Sequence, residues 1–504
     1  MDEKNSGFIS QIRKYSLQEL LIEFSMESSE LFKINTKDDK MPCGTKFESF
    51  EFASGRIKRR QEVLVTAWGL VDIAYQAILN SNDYRSKKVK SKREIYEIVS
   101  LYTEYVEHIE GKQEFMKNEA MHDDFLIYLY GFFGEQTKFQ LRHMMIENYN
   151  RESYIINNIA PIINDGIDVE GIVKKEIGLF SDEVTIILLY LWSLSTKTPF
   201  IVENDQFYNK DILKKQNVIN VVNYYTADYW QIRENKLGRQ VLYSKPIVKT
   251  DRNRYLCINS FLLYFLIEHS TYWIVRNYYQ NMNKQDFINA FGVYFEEYFY
   301  EILCEYLDCG SYKRIEEGKT KKADWYINMD GYEILLEQKS ALASLKAKQQ
   351  ESDINSTKQY ALRNWMKAIS QLQNTEYDYG NKKMIKIILV YEEYYKSEML
   401  ENIFSLSGSA IENDGYYWLV SISEFEMLLY SYKTDKKLFK EIMQDKIRME
   451  TENLHEGRDI RQIFERYGIK KNLHIEQEKY NYYSYISKKF KDEINSSTDN
   501  KYKS

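Results

Sequence analysis

A chain of 504 residues is too long for one ordinary domain, and a hydrophobic fraction of 44% is enough to bury more than one core. Its formal net charge of −6 excludes a global basic field, so a nucleic-acid partner would have to be held by a local surface. The four cysteines form no CxxC pair, which argues against a disulfide framework and a structural zinc site and fits a reducing cytoplasm.

Residues Met1-Asp2-Glu3-Lys4 do not read as a secretory signal, and the apolar runs at 186–194 and 261–267 are too short to span a bilayer. The expectation is a soluble cytoplasmic protein with no membrane partner. Tyrosine (44) and phenylalanine (25) are abundant. Amphipathic packing is the first reading of that excess and stacking on bases the second.

The first half reads as helical, and no fixed-period repeat is present. Apolar residues recur at three- and four-residue spacing over Leu17–Phe32, Val63–Leu79, Ile95–Ile109 and Phe125–Ile146, the last with Asp124 as N-cap. Ser181-Asp182-Glu183 reads as a cap with an acidic first turn before Val184–Leu194. Pro161 and Pro199 are expected in connections. "QVLYSKPIVK" and "RYLCINS" around "TDRN" predict a small hairpin within 240–260, followed by helices over Phe261–Gln280 and Lys284–Tyr306.

From Ser311 short β-rich runs alternate with single helices. "SYKRI", "ADWYI" and "YEILLEQ" precede a helix over Gln359–Asn374. "MIKIILVY", a helix over Lys396–Leu406, "YYWLVSI" and a helix over Glu424–Ser431 follow. The chain is therefore read as multidomain, α and α/β. Residues 1–285 form a helical recognition, regulatory or assembly region with a small β element. Residues 286–435 form a mixed sheet flanked by helices, and 436–504 a charged helical tail with a disordered end.

The stretch "KKADWYINMDGYEILLEQKSA" (321–341) carries the chemistry. Asp330-Gly331 is a two-residue hairpin signal, because a type I′ turn needs positive φ at both positions. With that loop, opposed residues sum to 661: Ile327 faces Ile334, Trp325 faces Leu336, and Asp324 faces Glu337. Opposed residues share a sheet face with Cβ atoms about 4.5–5.5 Å apart, and Lys339, two residues beyond Glu337, shares it too. Two opposed carboxylates destabilise a hairpin unless something offsets them. Mg²⁺ would, since it takes one or two carboxylates plus substrate phosphate. A lysine beside it could steady a phosphate oxygen or the attacking water. A solvent-facing hairpin in which Lys339 simply pairs with Glu337 or Asp324 is the competing explanation.

The neighbours extend the pattern. "FGVYFEEYFYEIL" before the hairpin is an amphipathic helix with Glu296 and Glu297. "NWMKAISQLQNT" after it is a helix with Lys367 and Gln371 on one face. This order resembles the PD-(D/E)XK nuclease superfamily, the restriction-endonuclease-like fold, over about residues 286–435. The resemblance implies Mg²⁺, with Mn²⁺ as a substitute, held by Asp324 and Glu337, and Lys339 assisting the attacking water. It also implies a helix glutamate at Glu296, with Glu297 as competitor. Lys367 and Gln371 would touch substrate or support the site. Ala323 stands where the superfamily usually has proline. No tyrosine follows the second helix at the usual place unless Tyr377 or Tyr379 serves. Lys313, Arg314, Lys319, Lys321 and Lys322, with Lys346, Lys348, Lys358 and Arg363, could form a phosphate-binding rim or be a solvated loop.

The expected function is a metal-dependent endonuclease acting on nucleic acid, DNA first and RNA as the alternative. By resemblance of layout it would serve in bacterial anti-phage defence, with a partner protein or phage trigger and a homo- or hetero-oligomeric state open. A catalytically silent nuclease-like fold used as a sensor or assembly module is the competing reading. The scattered histidines (His108, His122, His143, His269, His455, His474) form no HExxH. GxxxxGK[ST] and GxSxG do not occur, which argues against a histidine–zinc site, an ATP motor and a serine hydrolase.

Overall fold

The computed structural model describes residues 3–34, 42–54, 57–112, 138–140, 144–202, 211–236, 238–316, 318, 320–340, 365–380, 382–391, 400, 416–452 and 458–495. It is mixed α/β and mostly helical, with a five-stranded, a three-stranded and a two-stranded sheet. Among the described residues no single helix is long and apolar enough to cross a membrane.

In the first half, α1 (Glu3–Ile12), α2 (Leu17–Ile34), α3 (Ala67–Asn80) and α4 (Lys92–Lys112) surround a hairpin of β1 (Thr45–Ser54) and β2 (Ile57–Thr66). That hairpin corrects the helix expected over Val63–Leu79. Val63, Leu64 and Val65 are β-branched or apolar residues in the ladder, and the helix begins only after Thr66, whose side chain accepts from the Gly69 N–H at 3.1 Å. Then come α5 (Met144–Tyr154), α6 (Val169–Ile177), α7 (Ser181–Ser195), α8 (Lys215–Tyr224) and α9 (Tyr229–Glu234). The helix expected over Phe125–Ile146, and its cap Asp124, fall largely outside the described residues. The cap position of α7 is Phe180 rather than Ser181, and Glu183 accepts its N–H at 2.9 Å. Pro161 lies not in a connection but in a short helix, Ala160–Ile163, reached through a π turn at Ile155–Ile159. The wider turn suits a proline, which has no N–H to donate.

Strand β4 (Ile247–Lys249) pairs with β5 (Tyr255–Cys257) as expected, and with β3 (Thr226–Asp228) in parallel. The run expected as one helix from Phe261 is broken at His269 into α10 (Ser260–Glu268) and α11 (Ser270–Asn281). Residue 285 is an element boundary, since α12 (Asp286–Tyr306) starts just after it.

The main sheet has the order β10-β9-β8-β7-β6: β6 (Tyr312–Arg314), β7 (Trp325–Met329) and β8 (Tyr332–Lys339) are antiparallel, and β8, β9 (Ile385–Val390) and β10 (Tyr417–Ser421) are parallel. Helix α12 covers one face, where Phe299 packs edge-on to Trp325 at 5.8 Å. Helix α13 (Lys367–Asp378) covers the other through Ala368, Ile369 and Leu372 against Leu335. Every residue of β9 is buried, as a parallel strand covered on both faces requires. The N-terminal part of the helix expected over Gln359–Asn374, and the helix expected over Lys396–Leu406, lie largely outside the described residues. Next come α14 (Ile422–Thr434), α15 (Lys436–Thr451), α16 (Ile460–Arg466) and α17 (Tyr482–Asn495).

One apolar core runs from Phe8 to Ile486 and includes both sides of residue 285 and of residue 436. The charged helices after 436 belong to it through Phe439, Ile442, Met443 and Phe464.

Candidate active site

The hairpin has the register that its turn dictates. Asp330 and Gly331 have φ of 53° and 90°, and Trp325 pairs with Leu336, Ile327 with Ile334 and Met329 with Tyr332. The Asp324 N–H donates to the Leu336 carbonyl at 3.0 Å, one residue out of the hairpin's register, where the regular ladder ends at Trp325 and Leu336. The Gln338 N–H donates to Asp324 Oδ2 at 2.7 Å and fixes that carboxyl group. On the opposite face the Gln338 side chain accepts from Trp325 Nε1 at 2.7 Å.

Glu337 is only 2% exposed, and its Oε1 pairs with the Lys339 ammonium. Burial, and then the Asp324 carboxylate, push the Glu337 pKa up to about 8 against the pull of Lys339. Asp324 is raised too, by burial first, with the Gln338 amide and Lys339 opposing and Glu296 adding to the rise. Glu337 Oε2 is buried and meets no hydrogen-bond donor among the described residues. The Asp324 carboxyl group beside it can bond to it only by sharing a proton. A buried and a half-buried carboxyl group that repel each other, one with an unused oxygen, fit the needs of a divalent cation. Among the described residues no group of three or more His, Cys, Asp or Glu could hold a metal, so the protein's share would be these two carboxylates.

Lysines complete the cluster. Lys367, at the start of α13, has a lowered pKa, through Lys321 first, then burial, then Lys339, while Glu337 acts in the opposite sense. Lys321, Lys339 and Lys367 therefore stand within electrostatic reach of one another and of the carboxyl pair. Gln371 does not present its amide to the site. Its Nε2 donates to the Lys322 carbonyl at 3.0 Å, Asn374 Nδ2 to the Lys321 carbonyl at 3.3 Å, and Thr375 Oγ1 accepts the buried Ala323 N–H at 2.8 Å. One face of α13 thus clamps the backbone just before Asp324, which is the supporting one of the two roles expected of Gln371. Lys322 is likewise drawn away, to Asp378 at 2.6 Å. Thr375 and Asn374 were not singled out from sequence, although their spacing from Gln371 puts them on its face. Replacing Thr375 by Val leaves the Ala323 N–H unpartnered. A loss of about 1–3 kcal/mol in urea unfolding is expected, with Thr375→Ser restoring most of it.

No family model, curated protein or solved structure matches the chain. The site therefore rests on its own geometry. Glu296 is engaged by Arg314, whose Nε donates to it at 2.7 Å, and its charge acts on Asp324. Its helix comes close to the end of β8 at Gly292, where a Cβ would stand 3.2 Å from Ser340 Oγ. The Glu297 charge acts instead at Tyr300. Of the expected basic rim, Arg314 is taken by Glu296, and Lys313 lies over the Tyr326 and Tyr379 rings, which stack at 5.4 Å. Tyr377 is exposed. Lys319, Lys346, Lys348, Lys358 and Arg363 lie outside the described residues.

Proposed function

We propose that the protein is a Mg²⁺-dependent nuclease with a restriction-endonuclease-like catalytic part, acting on DNA in the first instance. The observation that carries this reading is the pairing of buried Glu337 with half-buried Asp324, with Lys339 beside them. Such a pair opposes folding on its own account, and a cation with a phosphate bridge would offset it.

Asp324 and Glu337 would hold the ion, which when bound supplies Lewis-acid activation of water and neutralises charge on the phosphate. Asp324 is held in orientation by the Gln338 amide. Glu337 gives up its shared proton before it can act as a ligand. Lys339 turns from Glu337 towards the attacking water or the developing charge on phosphate. Lys321 and Lys367, whose mutual repulsion would be relieved by an anion between them, are suited to hold the scissile phosphate. Mn²⁺ is expected to substitute. The continuity of core between helical and sheet parts supports regulation of the site by what the helical half binds. A role in bacterial anti-phage defence, with a partner protein or phage component as trigger, is the setting we propose for it.

The Lys339–Glu337 contact favours one other reading, a silent nuclease-like fold in which the lysine permanently satisfies the carboxylate. Purified protein incubated with plasmid, single-stranded DNA and RNA in Mg²⁺, Mn²⁺ or EDTA separates the two. Metal-dependent cleavage that falls by about 10²-fold or more in folded Asp324→Ala and Lys339→Ala variants is expected. Cleavage unchanged in both variants would remove the assignment, and the substrate that is cut decides between DNA and RNA.

A further inference from the structure

Six of the nine residues from Arg85 to Arg93 are lysine or arginine, and Lys58, Arg59 and Arg60 follow one another on β2. The fold brings the two stretches to one end of the helical half. The Arg93 guanidinium lies 5.9 Å from the Phe52 ring centre, and Phe52 is the cross-strand partner of Arg59. Further along, Phe50 packs on Tyr96 at 6.3 Å and Gln61 donates to Ser100 Oγ at 2.5 Å, so the ribbon lies along α4.

Some of these cations are already satisfied. Glu94 takes Lys87 at 3.0 Å, Glu97 takes Arg93 at 2.9 Å, and Glu27 and Glu30 share Lys92 and Lys46. Glu51, across the ribbon from Arg60, is held by Lys58 at 3.6 Å. Arg59, Arg60, Arg85, Lys88 and Lys90 are all exposed, and the described residues give none of them an acidic partner. Tyr84, next to the run, is 89% exposed. Five unpaired cations at one end of a protein with net charge −6 repel one another, Arg59 and Arg60 from opposite sides of β2, and phosphates are the anions that would relieve them.

We propose that this face, formed by the 85–93 segment and the β1–β2 ribbon, binds the backbone of duplex DNA and is separate from the carboxylate site. The inference rests on the nuclease reading only for its choice of polyanion. The contacts are to phosphate, so they position the duplex without reading its sequence.

The test is fluorescence anisotropy of a labelled duplex with the full chain in EDTA, over a range of salt. The variant carries Arg59→Ala, Arg60→Ala, Arg85→Ala, Lys88→Ala and Lys90→Ala. A control of equal charge carries Ala at the exposed positions Lys214, Lys236, Lys437, Lys471 and Lys488. Loss of five phosphate contacts is expected to reduce the slope of log affinity against log salt by about 4 to 5, with the control near wild type. An unchanged slope, an equal loss in the control, or failure to bind duplex while phosphatidylserine vesicles are bound would overturn the inference. Cleavage is read separately in Mg²⁺. Cutting that continues with unaltered binding by the variant removes this surface and leaves the nuclease. Binding through this surface with no cutting in Mg²⁺ or Mn²⁺ leaves the surface, whether or not the nuclease reading survives.

Discussion

Mg²⁺ is expected to raise the melting temperature of the protein far more at pH 8.5 than at pH 6.5, and Glu337→Gln is expected to abolish the difference. Glu337 has a folded pKa raised to about 8 by burial and by Asp324. A raised carboxyl pKa gives stability that is complete below the unfolded value near 4.5 and is lost as pH rises to about 8, because over that window the folded state holds a proton that the unfolded state has released. The loss is roughly 1.4 kcal/mol for each pH unit, hence several kcal/mol across the window. Without metal, wild type should therefore lose stability relative to Glu337→Gln between pH 5 and 8. A cation must displace that proton, so its apparent affinity weakens about tenfold for each unit below 8. Between pH 8 and 6 the stabilisation by saturating Mg²⁺ should shrink by up to about 2.7 kcal/mol. Thermal unfolding with and without Mg²⁺ across this range is decisive. A Mg²⁺ effect equal at both pH values, or retained in full by Glu337→Gln, would mean that the pair does not hold the ion.

The placement of this pair was legible because two local rules agree. Asp-Gly sets the turn, the two-residue period sets the face, and neither depends on the rest of the fold. Where a boundary depended on competing local signals the sequence misled. Val63-Leu64-Val65 continues an apolar helical period into α3, yet those residues complete a ribbon in which they face Glu48, Phe47 and Lys46. His269 interrupts a run that the spacing alone joins, and its ring nitrogen pairs with Glu152 on α5 at 2.7 Å. Side-chain partners were the least legible. Glu296 shares a helix face with site residues of a familiar pattern, but only the fold brings Arg314 to it. Gln371 reads as an exposed polar residue of a helix, and only the packing of α13 on the sheet turns it to the Lys322 carbonyl. The same holds for the division at residue 285. Composition changes there, and one apolar core continues across it, with some of the contacts that join its two sides lying between residues hundreds of positions apart.

Chief among those contacts is the Arg151–Glu426 pair, and Arg151→Met is expected to cost about 3–5 kcal/mol. Both side chains are fully buried, with Nε to Oε1 and Nη2 to Oε2 at 2.7 Å each. Burial alone would raise the Glu426 pKa, but Arg151 holds it below the usual carboxylate range. Tyr298 of α12 donates to Oε1 at 2.6 Å and Asn472 to Oε2 at 2.5 Å, so four segments, including the chain after α16, meet on one carboxylate. A depressed carboxyl pKa gives stability present above the unfolded value and lost as pH falls through the folded one, the opposite sense to Glu337. Removing the arginine leaves that charge buried with only neutral donors. Removing both charges in Arg151→Met/Glu426→Met leaves no buried charge uncompensated, so the double variant should be less destabilised than the sum of the single ones, with a coupling of at least about 2 kcal/mol. Because the pair ties α5 to α14, both single variants should lower the stability of the helical and sheet parts together, in one unfolding transition detected equally by far-ultraviolet circular dichroism and tryptophan fluorescence. Two separated transitions would show that the halves fold independently and that the pair only bridges them.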